Sequence, residues 1–364
     1  MKKITYYILL SGILIYSCSS GYTINGTVEK QDQGEAFITK EAYNGTNDTL
    51  AKAKIENGKF TLSGKVDGPT IAYLAVSNRI GAILYLENKA VYQVTSKPRE
   101  ACTVEGGGKD QQLSSDYIQL NTKLYKELQK LGRGFAQAGN SGDTLKRNEL
   151  LRRQKELIEN TELAKKQFLE KHGNSFFVLH DLARRALGMG IDEVKVAFNR
   201  CSDELKATEP GRYIISLLPK LAKIAIGATV PDFTSTTPEG KKISLFGIKA
   251  KVKLIDFWSS TCGLCRRENR HYLPIYEKYH SQGFEIVAYS FDKKRDLWLK
   301  AMAEDGMPWT QVSDLSDPKM KVVKENYGVW SLPANLLVDE NNQVIARNIS
   351  SEELKELLPK LLRK

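Results

Sequence analysis

An apolar run, Leu254-Ile255-Asp256-Phe257-Trp258, passes through Ser259-Ser260-Thr261 into Cys262-Gly263-Leu264-Cys265, and a charged helical pattern begins behind the second cysteine. A strand that feeds a helix within so few residues commits the chain to a strand–turn–helix unit with two thiols at the turn. A helix N-terminus leaves backbone N–H groups free and carries partial positive charge, so a cysteine placed there is stabilised as thiolate. Cys265 lies one turn in and can reach Cys262. The pair can therefore form and open a disulfide.

The rest of the 364 residues divides by pattern. From Gly21 to about Gly108 apolar and polar residues alternate between turn signals, and Asn57-Gly58 joins Lys54-Ile55-Glu56 to Lys59-Phe60-Thr61-Leu62. Asn-Gly adopts positive φ cheaply and marks a hairpin. Further strands fit Ile71–Val76, Ala82–Leu86 and Ala90–Val94, so 21–108 is expected to be a small antiparallel β domain. From 110 to 226 the period becomes helical: Tyr117, Leu120, Leu124, Leu128 and Leu131 share a face, and a longer helix is expected over Thr144–Lys171. From 227 to 364 strands and helices alternate, as in an α/β sandwich. The expected strands are Lys251–Phe257, Phe284–Ser290, Ala334–Val338 and Gln343–Arg347, with helices over Cys262–His280, Asp296–Glu304 and Glu352–Leu362.

Lys2 and Lys3 precede an apolar stretch from Ile4 to Ile15 that is shorter than the roughly 20 residues of a membrane span, which reads as an export signal over 1–18. Ile15 and Ser17 before Cys18 resemble a bacterial lipoprotein cleavage site, and by that resemblance Cys18 carries lipid and anchors the chain in the cell envelope or periplasm. Tyr16 is bulky for its position, and ordinary signal cleavage is the competing reading. Cys102 and Cys201 remain, read as buried, unreactive thiols, with a bridge between them as the alternative. The net charge of +11 is spread thinly and interleaved with acids, without a basic block carrying aromatics, so nucleic acid is not an expected partner.

The segment from Gly227 onward resembles the exported thioredoxin-like thiol–disulfide oxidoreductases of the TlpA and ResA type. The residues that carry the resemblance are the entry segment Ala228-Thr229-Val230-Pro231-Asp232-Phe233, Asp256-Phe257-Trp258 ahead of the cysteines, and Glu268 three residues after Cys265. Phe284-Glu285-Ile286-Val287 to Ser290 matches the second strand, and Tyr327-Gly328-Val329 with Leu332-Pro333-Ala334 matches the loop bearing a cis-proline. A β-rich module ahead of such a domain in a lipoprotein resembles an arrangement common in Bacteroidetes. Two positions depart from the family: Leu264 stands where proline usually precedes the second cysteine, and Arg270 where proline often follows it. Both put the redox potential in question.

The resemblance implies roles. Cys262 is the nucleophile and Cys265 attacks the mixed disulfide to release product. An unperturbed thiol is only about 3% thiolate at pH 7, and lowering its pKa to about 7 needs about 2 kcal/mol, which a helix N-terminus can supply. Asp256 takes the proton of Cys265 once burial raises its pKa. Glu268 either tunes the site or simply complements the helix dipole. Pro333 in cis presents the Leu332 backbone to an extended substrate, and Trp258 and Trp330 line that groove or belong to the core. Oxidising relatives often carry His before the second cysteine, and Leu264 provides no such donor, so a reductase is expected. It would act on disulfides of exported proteins and draw electrons from a membrane thiol donor, without a cofactor or a metal. A zinc knuckle through His271 and His280 would need ligands converging from one helix, and these histidines read as exposed. The alternatives are a thiol peroxidase, for which Thr261 is misplaced, and an envelope binding protein whose CxxC is not essential.

Overall fold

Burial alternates along β1 (Tyr22–Val28), where Tyr22, Ile24, Gly26 and Val28 point inward, and this period of two builds the first sheet. The structure is a computed structural model and describes residues 20–43, 48–315 and 317–363; the signal segment and Cys18 lie outside the described residues. Strands β2 (Gln33–Lys40), β3 (Thr49–Glu56), β4 (Lys59–Gly64), β5 (Thr70–Val76), β6 (Ala82–Leu86), β7 (Val91–Ser96) and β8 (Thr103–Gly106) complete it in the order β6-β5-β2-β3-β4-β1-β7-β8. Only the β1–β7 pair is parallel. The expected hairpin joins β3 to β4 with φ of 49° at Asn57 and 71° at Gly58, the left-handed pair of a tight turn. Ile24, Ile38, Leu74, Val76, Leu84 and Tyr92 are fully buried against one another.

Two long helices follow, α1 (Lys109–Ser141) and α2 (Thr144–Lys171). Gly142, at φ 67°, ends the first, and the Asp143 carboxylate accepts from the Lys146 N–H to cap the second. Leu131, Ala138 and Leu150 are buried between them with Leu128 and Phe135 alongside. Shorter helices come next: α3 (Phe176–Arg185), α4 (Ile191–Phe198), α5 (Asp203–Lys206) and α6 (Glu209–Ala222). The chain separates into two compact units between Val178 and Leu179, so the helical stretch is shared between them. Cys102 and Cys201 are buried thiols and are not bridged to each other, and burial pushes the pKa of each up.

The second unit holds β9 (Thr234–Thr236), β10 (Lys242–Ser244), β11 (Val252–Trp258), α7 (Gly263–Tyr279), β12 (Phe284–Ser290), α8 (Arg295–Asp305), β13 (Thr310–Ser313), α9 (Pro318–Asn326), β14 (Ala334–Asp339), β15 (Val344–Arg347) and α10 (Ser351–Leu361). Its sheet runs β10-β9-β13-β12-β11-β14-β15. β11, β12 and β13 are parallel, whereas β14 runs antiparallel to β11. All seven residues of β11 are buried, because helices cover both faces of a central strand. Leu254 and Trp258 pack with Tyr272 and Ile275 of α7 and Leu354 of α10, while Ile255 and Phe257 pack on the other face with Val323 and Tyr327. This is the expected thioredoxin-like α/β unit behind a β-rich and a helical region. β9, β10, β13 and α9 were not anticipated; the three strands have three or four residues each, too few to show a period.

Candidate active site

The central strand β11 ends at Trp258 and α7 begins at Gly263, so Cys262 is the N-cap of α7. Its Sγ accepts from the Cys265 N–H at 3.2 Å, as a sulfur at a helix N-terminus should. Cys262 and Cys265 form a disulfide with Cα atoms 5.3 Å apart. Cys265 is buried and Cys262 partly exposed, the asymmetry that lets one sulfur meet a partner while the other waits beneath it. Leu264, between them, is 55% exposed and adds an apolar surface beside the disulfide.

The turn ahead of the cysteines is held by a residue that the sequence reading missed. Asp292, just beyond β12, accepts from the Ser260 N–H at 2.9 Å and from the Ser260 and Ser290 hydroxyls. Nothing local in the sequence marks Asp292, because its partner Ser260 is 32 residues away and reaches it only through the β11–β12 pairing.

Asp256 is 3% exposed, on the α7 side of the sheet. Burial first and then the Glu268 carboxylate push its pKa up to about 7. Two further groups complete this polar patch. Asn335, directly opposite Asp256 on β14, donates to the Tyr272 hydroxyl at 3.2 Å and exchanges hydrogen bonds with the Ile349 backbone. Burial, then Asp256 and Glu268, push the Tyr272 hydroxyl well above its ordinary pKa. Glu268 accepts from the Ser351 N–H at 3.3 Å and stands 3.9 Å from His271 Nδ1. It also lines a cleft of about 250 Å³ with Tyr272, Pro333, Asn335 and Glu353.

The Leu332–Pro333 peptide is cis, and β14 starts at the next residue. Leu332 and Cys262 pack against the same core. A second cleft of about 90 Å³ shares Pro333 with the first and is lined also by Leu187, Tyr327, Trp330 and Arg347. Trp330 is 48% exposed, with Lys324 Nζ 5.7 Å from its ring centroid. Trp258 requires a correction to its expected place in a substrate groove. It is fully buried, its indole N–H donates to Gln311, and it packs with the core beneath α7.

Of the three arginines after the cysteines, Arg266, Arg267 and Arg270, two are committed to acids. Arg266 makes ion pairs with Asp305 and Glu304, and Arg270 with Asp305, so the Arg266 charge is committed away from the sulfurs. Asp305 first, then Glu304, raise the Arg266 pKa against the cost of its burial. His271 contacts Ser351 and Glu268, and His280 the Phe284 carbonyl and the Tyr276 ring. Among the described residues no three metal-ligating side chains converge.

Comparison with known proteins agrees with this geometry. Residues 226–347 match the AhpC/TSA family, and residues 22–113 match a domain of unknown function (DUF4369). The thiol-disulfide oxidoreductase ResA of Bacillus thuringiensis subsp. konkukian is 34% identical over 149 residues, 40% of this chain and 81% of the relative. ResA of Bacillus anthracis is 33% identical over 143 residues, 39% of this chain and 79% of the relative. The thioredoxin domain of a thiol-disulfide oxidoreductase from Bacteroides vulgatus is 32% identical, with a TM-score of 0.37, covering 38% of this chain and 98% of that one. Through its C-terminal unit, with a cysteine pair at a helix N-terminus and a buried carboxyl on the adjoining strand, the chain belongs to the ResA family of thiol–disulfide oxidoreductases.

Proposed function

We propose that Cys262 and Cys265 cycle between dithiol and disulfide to reduce disulfides of exported proteins. The observation that carries this reading is the Cys262–Cys265 disulfide capping α7, in a chain whose relatives are named for thiol–disulfide exchange. Those names favour exchange over peroxide reduction or simple binding. The Cys262 thiolate attacks a substrate disulfide and forms a mixed disulfide, expelling one substrate thiolate that takes up a proton. Cys265 then passes its proton to the Asp256 carboxylate, attacks Cys262 Sγ and expels the second substrate thiolate. Two electrons leave the dithiol, and a membrane thiol donor restores it.

Burial, with Glu268 adding to it, holds the Asp256 pKa near neutrality, where proton transfer works in both directions. Leu332, Pro333 and Trp330 form the surface on which an extended substrate segment pairs. With Arg266 paired to acids and Leu264 offering no donor, few groups stabilise the Cys262 thiolate beyond the helix itself, which favours a reducing potential. The export signal and Cys18 support a site outside the cytoplasm on a lipid anchor; among the described residues no helix is long and apolar enough to cross a membrane. The test is the equilibrium reduction potential of the pair by alkylation in defined redox buffers. A value near or below about −250 mV supports the reductase, whereas one near about −120 mV rejects it for an oxidant.

A further inference from the structure

Asn269 is 1% exposed, and no protein group lies within hydrogen-bonding reach of either its amide nitrogen or its amide oxygen. A buried amide with neither donor nor acceptor paired is costly and uncommon. Its neighbours on α7 are otherwise accounted for: Arg266 and Arg270 pair with Asp305, Glu268 with Ser351, and Tyr272 with Asn335. Asn269 lies four residues after Cys265 on the buried face that also carries Tyr272, Ile275 and Tyr276. Residues four apart stack along one side of a helix, and each side chain leans toward the helix N-terminus. The Asn269 amide therefore leans back over the turn that holds Cys265.

In the disulfide, Cys265 Sγ is bonded to Cys262 and is a poor hydrogen-bonding partner. Reduction converts that sulfur into a thiol, which donates, or a thiolate, which accepts strongly. We propose that Asn269 is a redox-tuning residue, its amide unpaired in the disulfide form and hydrogen-bonded to Cys265 Sγ in the dithiol and mixed-disulfide forms. The interaction exists on one side of the redox equilibrium only. It stabilises the reduced pair, makes the disulfide a stronger oxidant than α7 alone would, and steadies Cys265 as its proton leaves. The electron count is unchanged: two electrons and up to two protons still enter the disulfide, and Asn269 supplies neither. The proposal rests on the redox cycle proposed above.

The test is the reduction potential of the full-length protein with Asn269→Leu and Asn269→Ala. Both are expected to shift the dithiol–disulfide equilibrium about tenfold toward the disulfide, about 30 mV more negative. Thermodynamic linkage requires a matching signature in stability: each substitution must favour the oxidised form over the reduced form by the same factor. An amide that matters only for packing, or that holds water equally in both forms, would leave the potential unchanged and overturn the proposal, as would a shift to less negative values. Wild-type protein gives a reading that needs no variant to fold. The Asn269 side-chain resonances should shift on reduction, the carbonyl carbon where the Cys265 thiol donates and the amide protons where its thiolate accepts, and constancy of both would overturn it. A wild-type pair that cannot be cycled at all would instead reject the redox function, so the two failures are distinguishable.

Discussion

Asp256 on β11 stands directly across the strand pair from Asn335 on β14, and Asn335 is hydrogen-bonded to Tyr272 of α7. Three elements thus place a carboxyl, an amide and a phenol in a buried patch on the side of the sheet that carries the cysteine helix. Burial is the larger cause of the raised Asp256 pKa, ahead of the Glu268 carboxylate. Chemistry and stability should both report that choice.

Release of the mixed disulfide should be faster above about pH 7, where Asp256 is ionised and can accept the Cys265 proton. Asp256→Asn should slow that step about 100-fold and flatten its rise with pH. Stopped-flow measurement of the resolution rate between pH 5 and 9 checks this, and a variant as fast as wild type would reject Asp256 as the base.

Removing the Glu268 charge by Glu268→Gln should bring the Asp256 pKa down, because the neighbouring carboxylate is the second cause of its elevation. The midpoint of the resolution profile then moves to lower pH with the reaction otherwise intact. If the midpoint stays in place, Glu268 serves α7 and its contact with Ser351 alone.

The same carboxyl makes folding pH-dependent. Folded, Asp256 keeps its proton up to about pH 7; unfolded, it loses it near its ordinary value of 3.8. In that window the folded state binds more protons, so the Asp256 contribution falls as pH rises and is most unfavourable above pH 7. Asp256→Asn should therefore raise oxidised-state stability by on the order of 2–4 kcal/mol at pH 8 and by little at pH 4. Urea titrations at the two pH values measure the difference.

Cys265→Ser should accumulate a mixed disulfide between Cys262 and substrate, and Cys262→Ser should form none. The partial exposure of Cys262 and the burial of Cys265 set that order of events. Trapping with a model disulfide peptide, read by mass spectrometry, separates the two; equal trapping by both variants would contradict the assignment.

Asp292→Ala removes three acceptor contacts that hold Ser260 and Ser290. Stability should fall by about 2–4 kcal/mol, since one buried and two partly buried donors are left unpaired. Hydrogen exchange at the Ser260 amide should accelerate more than exchange in β12 away from the turn.

How far these features were legible in the sequence depends on how local they are. Cys262, Cys265 and the helix behind them follow from one short run, as does the Asn57-Gly58 hairpin, because a turn is decided by the residues within it. Asp256 could be singled out as a charge inside an apolar strand. The cis peptide at Pro333 agrees with the expectation drawn from Leu332-Pro333-Ala334. Trp258 and Trp330 could not be told apart, since a strand buried on both faces shows no alternation by which to separate core from surface.

Sequence alone thus determined the chemistry available, two thiols at a helix start with a carboxyl on the preceding strand, and the order of a β-rich, a helical and an α/β region. Only the tertiary structure decided the surroundings of that chemistry. Asn335 meets Asp256 through β11–β14 pairing, Asp292 meets Ser260 through β11–β12 pairing, and Arg266 finds Asp305 on another helix. These partners lie tens of residues apart along the chain. Their proximity is a property of sheet register and helix packing, which no local run of residues encodes.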